Sequence, residues 1–299
     1  MKIFPELSKN AWIILLTLSY NSGTAAQIAR ESSLRLNRIS EALDKLEEFK
    51  IIKDRGRKQQ LSLDSTMKIT LSKLLVGNSR DNLAESLEGK RLNVLFQILE
   101  SYDTVKKLNL ITGYSVPTIK RILNSFQRDL LVYQPKKSIY KIRDEFLPKI
   151  KELYSSFFAC FVERLQGQKI TWKRILAFGN RVLLKSAQSE LPDFVHTAFS
   201  LFHRYGIGLI LTSDNYFVNK TEVTREEVFV HALVFSINDE RYMLYCKLFA
   251  DLNKLTLKKL KNLPAIFRVE KEVTSIFEFL SKKPLPQEYI ELRRDYERG

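Results

Sequence analysis

The chain has 299 residues, 44% of them hydrophobic, with only 10 Gly and 8 Pro. That argues against disorder and allows two or three ordered, helix-rich domains. A formal charge of +15 favours a polyanionic partner, because neutralised phosphates release counterions.

Residues 24–63 form the most strongly patterned stretch of the chain. Thr24 is an N-cap residue type, and Ala25, Ala26, Ile28 and Ala29 give a short helix. Ser32 and Ser33 break the pattern and offer a second cap. Leu36, Ile39, Leu43 and Leu46 then recur at spacings of three and four, which predicts a helix with those four residues on one buried face. Its other face carries Arg35, Asn37, Arg38, Glu41 and Lys45. Residues 51–53 and 61–63 read as short strands around Arg55, Gly56, Arg57 and Lys58. The whole reads as a helix-turn-helix with a cationic two-stranded wing. The helix suits a DNA major groove and the wing suits the phosphates. Residues 67–75 read as a closing helix, and residues 77–89 as a linker.

The next region restates the first at an offset of 80 residues. Ile28 falls on Leu108, Ser33 on Gly113, Ile39 on Ile119, Leu43 on Leu123 and Leu46 on Phe126, without a gap. Ile51-Ile52 falls on Leu131-Val132. These are the positions a helix-turn-helix core requires, so the pattern predicts a tandem duplication. In the second copy Gly113 supplies the tight corner, Ser115 caps the next helix, and Pro117 sits in its first turn. Thr118, Lys120, Arg121, Asn124 and Arg128 lie on or near the face away from the core. The second wing runs over residues 131–142, with its turn at Pro135, Lys136 and Lys137.

The candidate DNA-binding residues are therefore Arg35, Asn37, Arg38, Lys45, Lys53, Arg55, Arg57 and Lys58 in the first copy. In the second they are Ser115, Thr118, Lys120, Arg121, Asn124, Lys136 and Lys137. Arg and Asn are the types that pair two-pronged with guanine and adenine edges, and the run RLNR makes the first copy the stronger candidate.

Residues 146–166 read as an amphipathic helix. Leu147, Ile150, Tyr154, Phe157 and Phe161 form a stripe suited to a homodimer or to docking on its own domain. Beyond Gly167 the pattern becomes mixed α and β. Gly179-Asn180 predicts a hairpin between residues 175–178 and 181–185. Residues 191–205 read as a helix, and 208–212 and 216–218 as strands. Thr224 to Glu227 is a capping box opening a helix through His231 and Leu233. Residues 241–248 read as a strand, followed by helices near 255–262 and 270–281 and a charged helical tail.

Chemistry is sparse. His196, His203 and His231 lack zinc-site spacing, and packing is their expected role. Asp214, Glu222, Glu226, Glu227 and Asp239 accompany no nucleotidyl-transfer, P-loop or dinucleotide motif. No enzyme, metal or cofactor is expected. Cys160 and Cys246 read as buried free thiols of a reducing compartment. No signal peptide is visible, and the apolar run 11–18 is too short to span a bilayer, so the expected place is the cytoplasm, away from membranes.

The two copies, together with ITWKRILAFGNRVLLK, HTAFSLFHRYGIGL and TREEVFVHALVF, make the chain resemble archaeal winged-helix transcriptional regulators. More distantly, the C-terminal part resembles AbiE-type antitoxins, in which a Ser-Ala-Leu-like helix precedes a Gly. Here Thr197-Ala198-Phe199-Ser200-Leu201 precedes Tyr205-Gly206. The resemblance implies a sequence-specific DNA-binding regulator, or alternatively an interaction module such as the antitoxin of a toxin-antitoxin pair. The expected fold is mainly α with an α/β part. It comprises winged helix-turn-helix domains at 1–76 and 84–145, a connecting or dimerisation helix at 146–166, and a C-terminal α/β domain at 167–299. Double-stranded DNA, a second copy of the chain, and a protein bound by the C-terminal domain are the expected partners.

Overall fold

The computed structural model describes residues 3–55, 60–76, 78–211 and 214–297. The chain is mainly helical and divides into two compact units, which meet in sequence at Lys169 and Ile170.

The first unit contains one arrangement of elements twice. α1 (Lys9–Leu18), α2 (Ala25–Ser32) and α3 (Leu36–Glu48) lead into the antiparallel hairpin β1 (Ile52–Arg55) and β2 (Gln60–Leu63), followed by α4 (Ser65–Leu75). After α5 (Arg80–Leu87), the series returns as α6 (Lys90–Leu99), α7 (Val105–Thr112), α8 (Val116–Arg128), β3 (Val132–Lys136) and β4 (Ile139–Ile142). α9 (Leu147–Gly167) closes the unit.

The likeness extends to backbone detail. Ser33 and Gly113 both take left-handed φ, 58° and 71°, between the second and third helices. Lys50 and Leu130 do the same after the third, at 57° and 58°. The amide of Ile51 then donates to Leu46 O, and that of Leu131 to Phe126 O, each at 2.9 Å. These left-handed residues end the helix and turn the chain into the hairpin.

Burial explains why the repeat is visible in sequence. Ile28, Ile39, Leu43 and Leu46 are buried, as are their counterparts Leu108, Ile119, Leu123 and Phe126. Leu36 is the exception. The spacing predicts it in the core, yet it is 59% exposed, and Ala42 takes the fourth core place. The cap of α3 also differs. Ser32 is buried and bonds back to Ile28 O, so Arg35 holds the N-cap position with no side-chain bond.

Two further expectations change. The stretch expected as a linker contains α5, capped by Ser79 and buried through Leu83, Ala84 and Leu87. Its Arg80 donates to Thr17 Oγ1 and Glu31 O, tying α5 to the first copy. The apolar stripe of α9, a candidate dimerisation face, is consumed within the unit. Phe157 meets Trp12 and Phe96 with ring centroids 6.0 Å apart, and Phe96 meets Phe4 at 4.8 Å. Lys73 of α4 pairs with Glu152 of α9 at 2.9 Å. α9 is thus the splint between the copies, and its buried face is not available to a second chain.

The second unit has a four-stranded antiparallel sheet in the order β5-β6-β8-β7. β5 (Arg174–Phe178) and β6 (Arg181–Ser186) form the hairpin at Gly179-Asn180, with Gly179 at φ 62°. β7 (Val195–His196) and a 3-10 helix (Ala198–Tyr205) replace the single helix expected from residue 191, because Val195 and His196 pair with β8 (Asn215–Val218). Residues 208–211 form no strand, and Thr212 lies outside the described residues. α10 (Arg225–Ser236) carries the expected capping box and is buried from Glu227 to Ser236. The expected strand at 241–248 is instead part of α11 (Glu240–Leu252), capped by Asp239, with Cys246, Phe249 and Ala250 buried at helical spacing. Two short helices, α12 (Leu257–Leu260) and α13 (Leu263–Phe267), precede α14 (Glu270–Ser281) and α15 (Gln287–Glu297).

Candidate nucleic-acid interface

The two third helices and two hairpins hold most of the candidate residues. In the first copy, Thr24 accepts from the Gln27 amide at 3.3 Å while Gln27 Oε1 accepts from the Thr24 amide at 2.8 Å, fixing the start of α2. Ser33 turns the chain, and α3 presents Arg35, Asn37 and Arg38 to solvent. Asn37 Oδ1 accepts from the Arg38 amide at 2.9 Å, and Arg38 lies 3.9 Å from Glu41. Lys45 is drawn off the outer face: its Nζ donates to Glu6 O at 2.6 Å. Lys53 and Arg55 belong to β1, but their side chains are outside the described residues, as are Arg57 and Lys58 entirely.

The corner of the second copy is more heavily bonded. Asn109 Nδ2 donates to Tyr114 O at 2.8 Å, and the Tyr114 amide donates to Thr112 Oγ1 at 3.1 Å. The Tyr114 hydroxyl receives Asn93 Nδ2 at 3.1 Å and donates to Glu6 Oε1 at 3.0 Å. Lys90 Nζ lies over the Tyr114 ring. Burial, with the nearby Glu6 carboxylate, pushes the Tyr114 phenol up to about 12, so it stays a donor. Ser115 and Thr118 are 2.9 Å apart and cap α8, so those two candidate hydroxyls serve the helix end. Lys120, Arg121, Asn124 and Arg128 are exposed.

The hairpin of the second copy pairs Val132 with Ile142 and Lys136 with Ile139, with a register shift between. Pro135 sits in that interruption, where its missing N–H costs no ladder bond. The turn is Lys137-Ser138 rather than Pro135 to Lys137, with Ser138 at φ 68°. Lys136 and Lys137 are exposed at the tip, and Lys141, which sequence reasoning passed over, is exposed nearer the base, opposite Tyr133.

Of the acids, sequence reasoning placed Glu41 on the outer face of α3 but passed over Asp44 and Glu48. On α8 the positions opposite the buried row are Arg121, Asn124 and Arg128, and this helix contains no Asp or Glu. The equivalent positions on α3, 80 residues earlier, are Glu41, Asp44 and Glu48, all exposed. Reading the two helices against each other position by position, rather than collecting cations in each, would have found this. The first unit carries 29 Lys and Arg against 18 Asp and Glu, so most of the net charge belongs to it.

The carboxylates of the second unit do not gather. Lys173 and Lys185 bind Asp214 at 2.6 and 2.9 Å. Burial favours a raised Asp214 carboxyl, but the two ammoniums hold it below its ordinary range. Lys220 and Arg181 bind Glu227 at 2.7 and 3.3 Å. Burial likewise opposes its charge, and Lys220 with the Thr224 amide keeps it below its ordinary range. Asp239 is spent as a cap. His231 is buried, with Nδ1 2.7 Å from Thr197 Oγ1 and its ring against Phe267. Burial pulls its pKa down to about 3. Among the described residues no three His, Cys, Asp or Glu side chains are placed to share a metal ion. Cys160 and Cys246 are buried free thiols. No described helix is long and apolar enough to cross a membrane.

No family model matches the chain, and no curated protein matches it in sequence.

Proposed function

We propose that the chain is a sequence-specific regulator that binds double-stranded DNA through two tandem winged helix-turn-helix units. The observation that carries this reading is α8 beside its hairpin. One exposed helix face holds Lys120, Arg121, Asn124 and Arg128 with no Asp or Glu from Val116 to Arg128; the C-cap residue Asp129 lies 3.5 Å from Arg128, and the adjacent hairpin exposes Lys136, Lys137 and Lys141. A major groove admits a helix of this kind, and a cationic hairpin suits the flanking phosphates. The resemblance to archaeal winged-helix regulators points the same way. The second unit then serves as an assembly or sensing domain, and nothing in the reading requires catalysis.

A second reading, a protein-interaction module of the antitoxin kind, draws on the acidic outer face of α3, which suits a basic protein better than DNA. A salt titration of the full chain on duplexes selected from a random-sequence pool separates the two. The regulator enriches a defined sequence, and log K falls against log salt with a slope of about −4 to −7, one phosphate contributing about −0.9. A shallow slope with no enriched sequence would refute it.

A further inference from the structure

We infer that the two copies divide the work: α8 reads base edges in the major groove, while α3 stays out of it. This rests on the DNA-binding reading above and names which of the two helices carries it.

The two copies share their helix geometry. α3 and α8 each have 13 residues, end in the same left-handed turn, and bury the same row. Opposite that row, positions separated by three and four residues form one stripe about 10 Å long, at about 1.5 Å of rise per residue. A helix lying in a groove points this stripe at the bases, with its flanks toward phosphate. On α8 the stripe is Arg121, Asn124 and Arg128. Arg pairs two-pronged with guanine O6 and N7, and Asn with adenine N6 and N7. On α3 the stripe is Glu41, Asp44 and Glu48, with Glu47 beside it. A carboxylate accepts only, so of the base edges it suits cytosine N4 and the adenine amino group and meets guanine with repulsion. Four carboxylates within one Debye length of two phosphate strands oppose entry at physiological salt.

A second observation is independent of charge. The corner that aims α8 is bonded through Asn109, Thr112 and Tyr114, with the Tyr114 hydroxyl held by Asn93 and Glu6. At the equivalent corner of α3, Leu34 stands where Tyr114 stands, so the phenol bonds have no counterpart, and the left-handed residue is Ser33. A reading helix must be held in fixed orientation for bidentate contacts; α8 has this brace at its leading corner, whereas among the described residues α3 is tied by Lys45 to Glu6 O near its other end. On this account the cations at the start of α3, Arg35 and Arg38, contribute long-range attraction rather than base contacts.

The test uses the full chain and random-pool selection, with sequence preference and affinity read separately. Arg121→Ala/Arg128→Ala is expected to weaken binding to the selected duplex by about 30-fold or more, since each bidentate contact contributes about tenfold. Asn124→Ala is expected to relax the preference at one base position. Arg35→Ala/Arg38→Ala is expected to lower affinity about threefold or less and to select the same sequence. Glu41→Gln/Glu48→Gln is expected to tighten binding without changing that sequence. All these positions are exposed, and helical content by circular dichroism checks that each variant folds. If the α3 variants change the selected sequence, the division of labour is overturned while DNA binding stands. If the wild-type chain selects no sequence, the DNA-binding reading fails and takes this inference with it.

Discussion

α3 and α8 share a backbone and differ in the charge of the face opposite their buried row. Ile39, Leu43 and Leu46 match Ile119, Leu123 and Phe126 in burial, yet Glu41, Asp44 and Glu48 stand where α8 has Arg121, Asn124 and Arg128. Core positions must keep their volume and polarity for the unit to fold, whereas outward positions change at little cost to stability. The repeated arrangement is therefore legible from the core, and the function has to be read from the surface of each copy separately.

One way to break the comparison is to remove what both copies share. Phe157 of α9 is 1% exposed and packs on Trp12 of the first copy and Phe96 of the second. Phe157→Ala should cost about 3–5 kcal/mol. Hydrogen exchange should rise in α1 and α6 together. A rise in one alone would mean that the copies are held independently.

The three histidines lie at 196, 203 and 231, so the unit containing both copies has none. His231, buried beside Glu227, Arg181 and Lys220, has a folded pKa of about 3, below its ordinary 6.5. Below pH 6.5 the unfolded chain takes up a proton that the folded chain refuses, so stability is lost as pH falls from 6.5 toward 3. Between pH 6.5 and 5 the second unit should lose about 1.6 kcal/mol, the slope approaching about 1.4 kcal/mol per pH unit at the lower end. Exchange in α10 peptides reports this, and His231→Gln should flatten it. A pH slope in α10 that survives the substitution would assign the effect elsewhere.

The smallest effect sharpens the contrast at the corners. Gly113→Ala has open space around the new methyl group but keeps φ near 71°, and should cost about 1 kcal/mol. Ser33→Gly relieves the same backbone conformation in the first copy and should gain about 0.5 kcal/mol after the added freedom of the unfolded chain. Denaturant midpoints measure both, and shifts of the same sign would show that the corners are not equivalent.

Much of the fold was legible because local signals agreed with burial. Thr24, Ser115 and Thr224 cap helices, Gly113 turns a corner, and Gly179-Asn180 makes a hairpin. The failures have physical causes. α5 was hidden by a polar stretch whose Ser79 is a cap and whose Leu83 and Leu87 are core. Residues 241–248 alternate enough to imitate a strand, but the Asp239 cap and the burial of Cys246, Phe249 and Ala250 set a helical period. Periodicity located the stripe of α9, but periodicity does not say whether the covering surface belongs to the same chain. For the candidate interface, exposure of Arg35, Asn37, Arg38, Lys120, Arg121, Lys136 and Lys137 was legible, whereas the withdrawal of Lys45 to Glu6 depends on a contact 39 residues away.

The most direct measurement exploits the burial of Cys160 and Cys246. A cysteine introduced at an exposed position can be labelled selectively with an iron chelate that cleaves nearby DNA. Asn124→Cys and Asp44→Cys place the chelate at equivalent positions of α8 and α3 on the selected duplex. The account predicts cleavage confined to a few base pairs within the site from position 124, and none above background from position 44. Equal cleavage from both, or stronger cleavage from position 44, would contradict it.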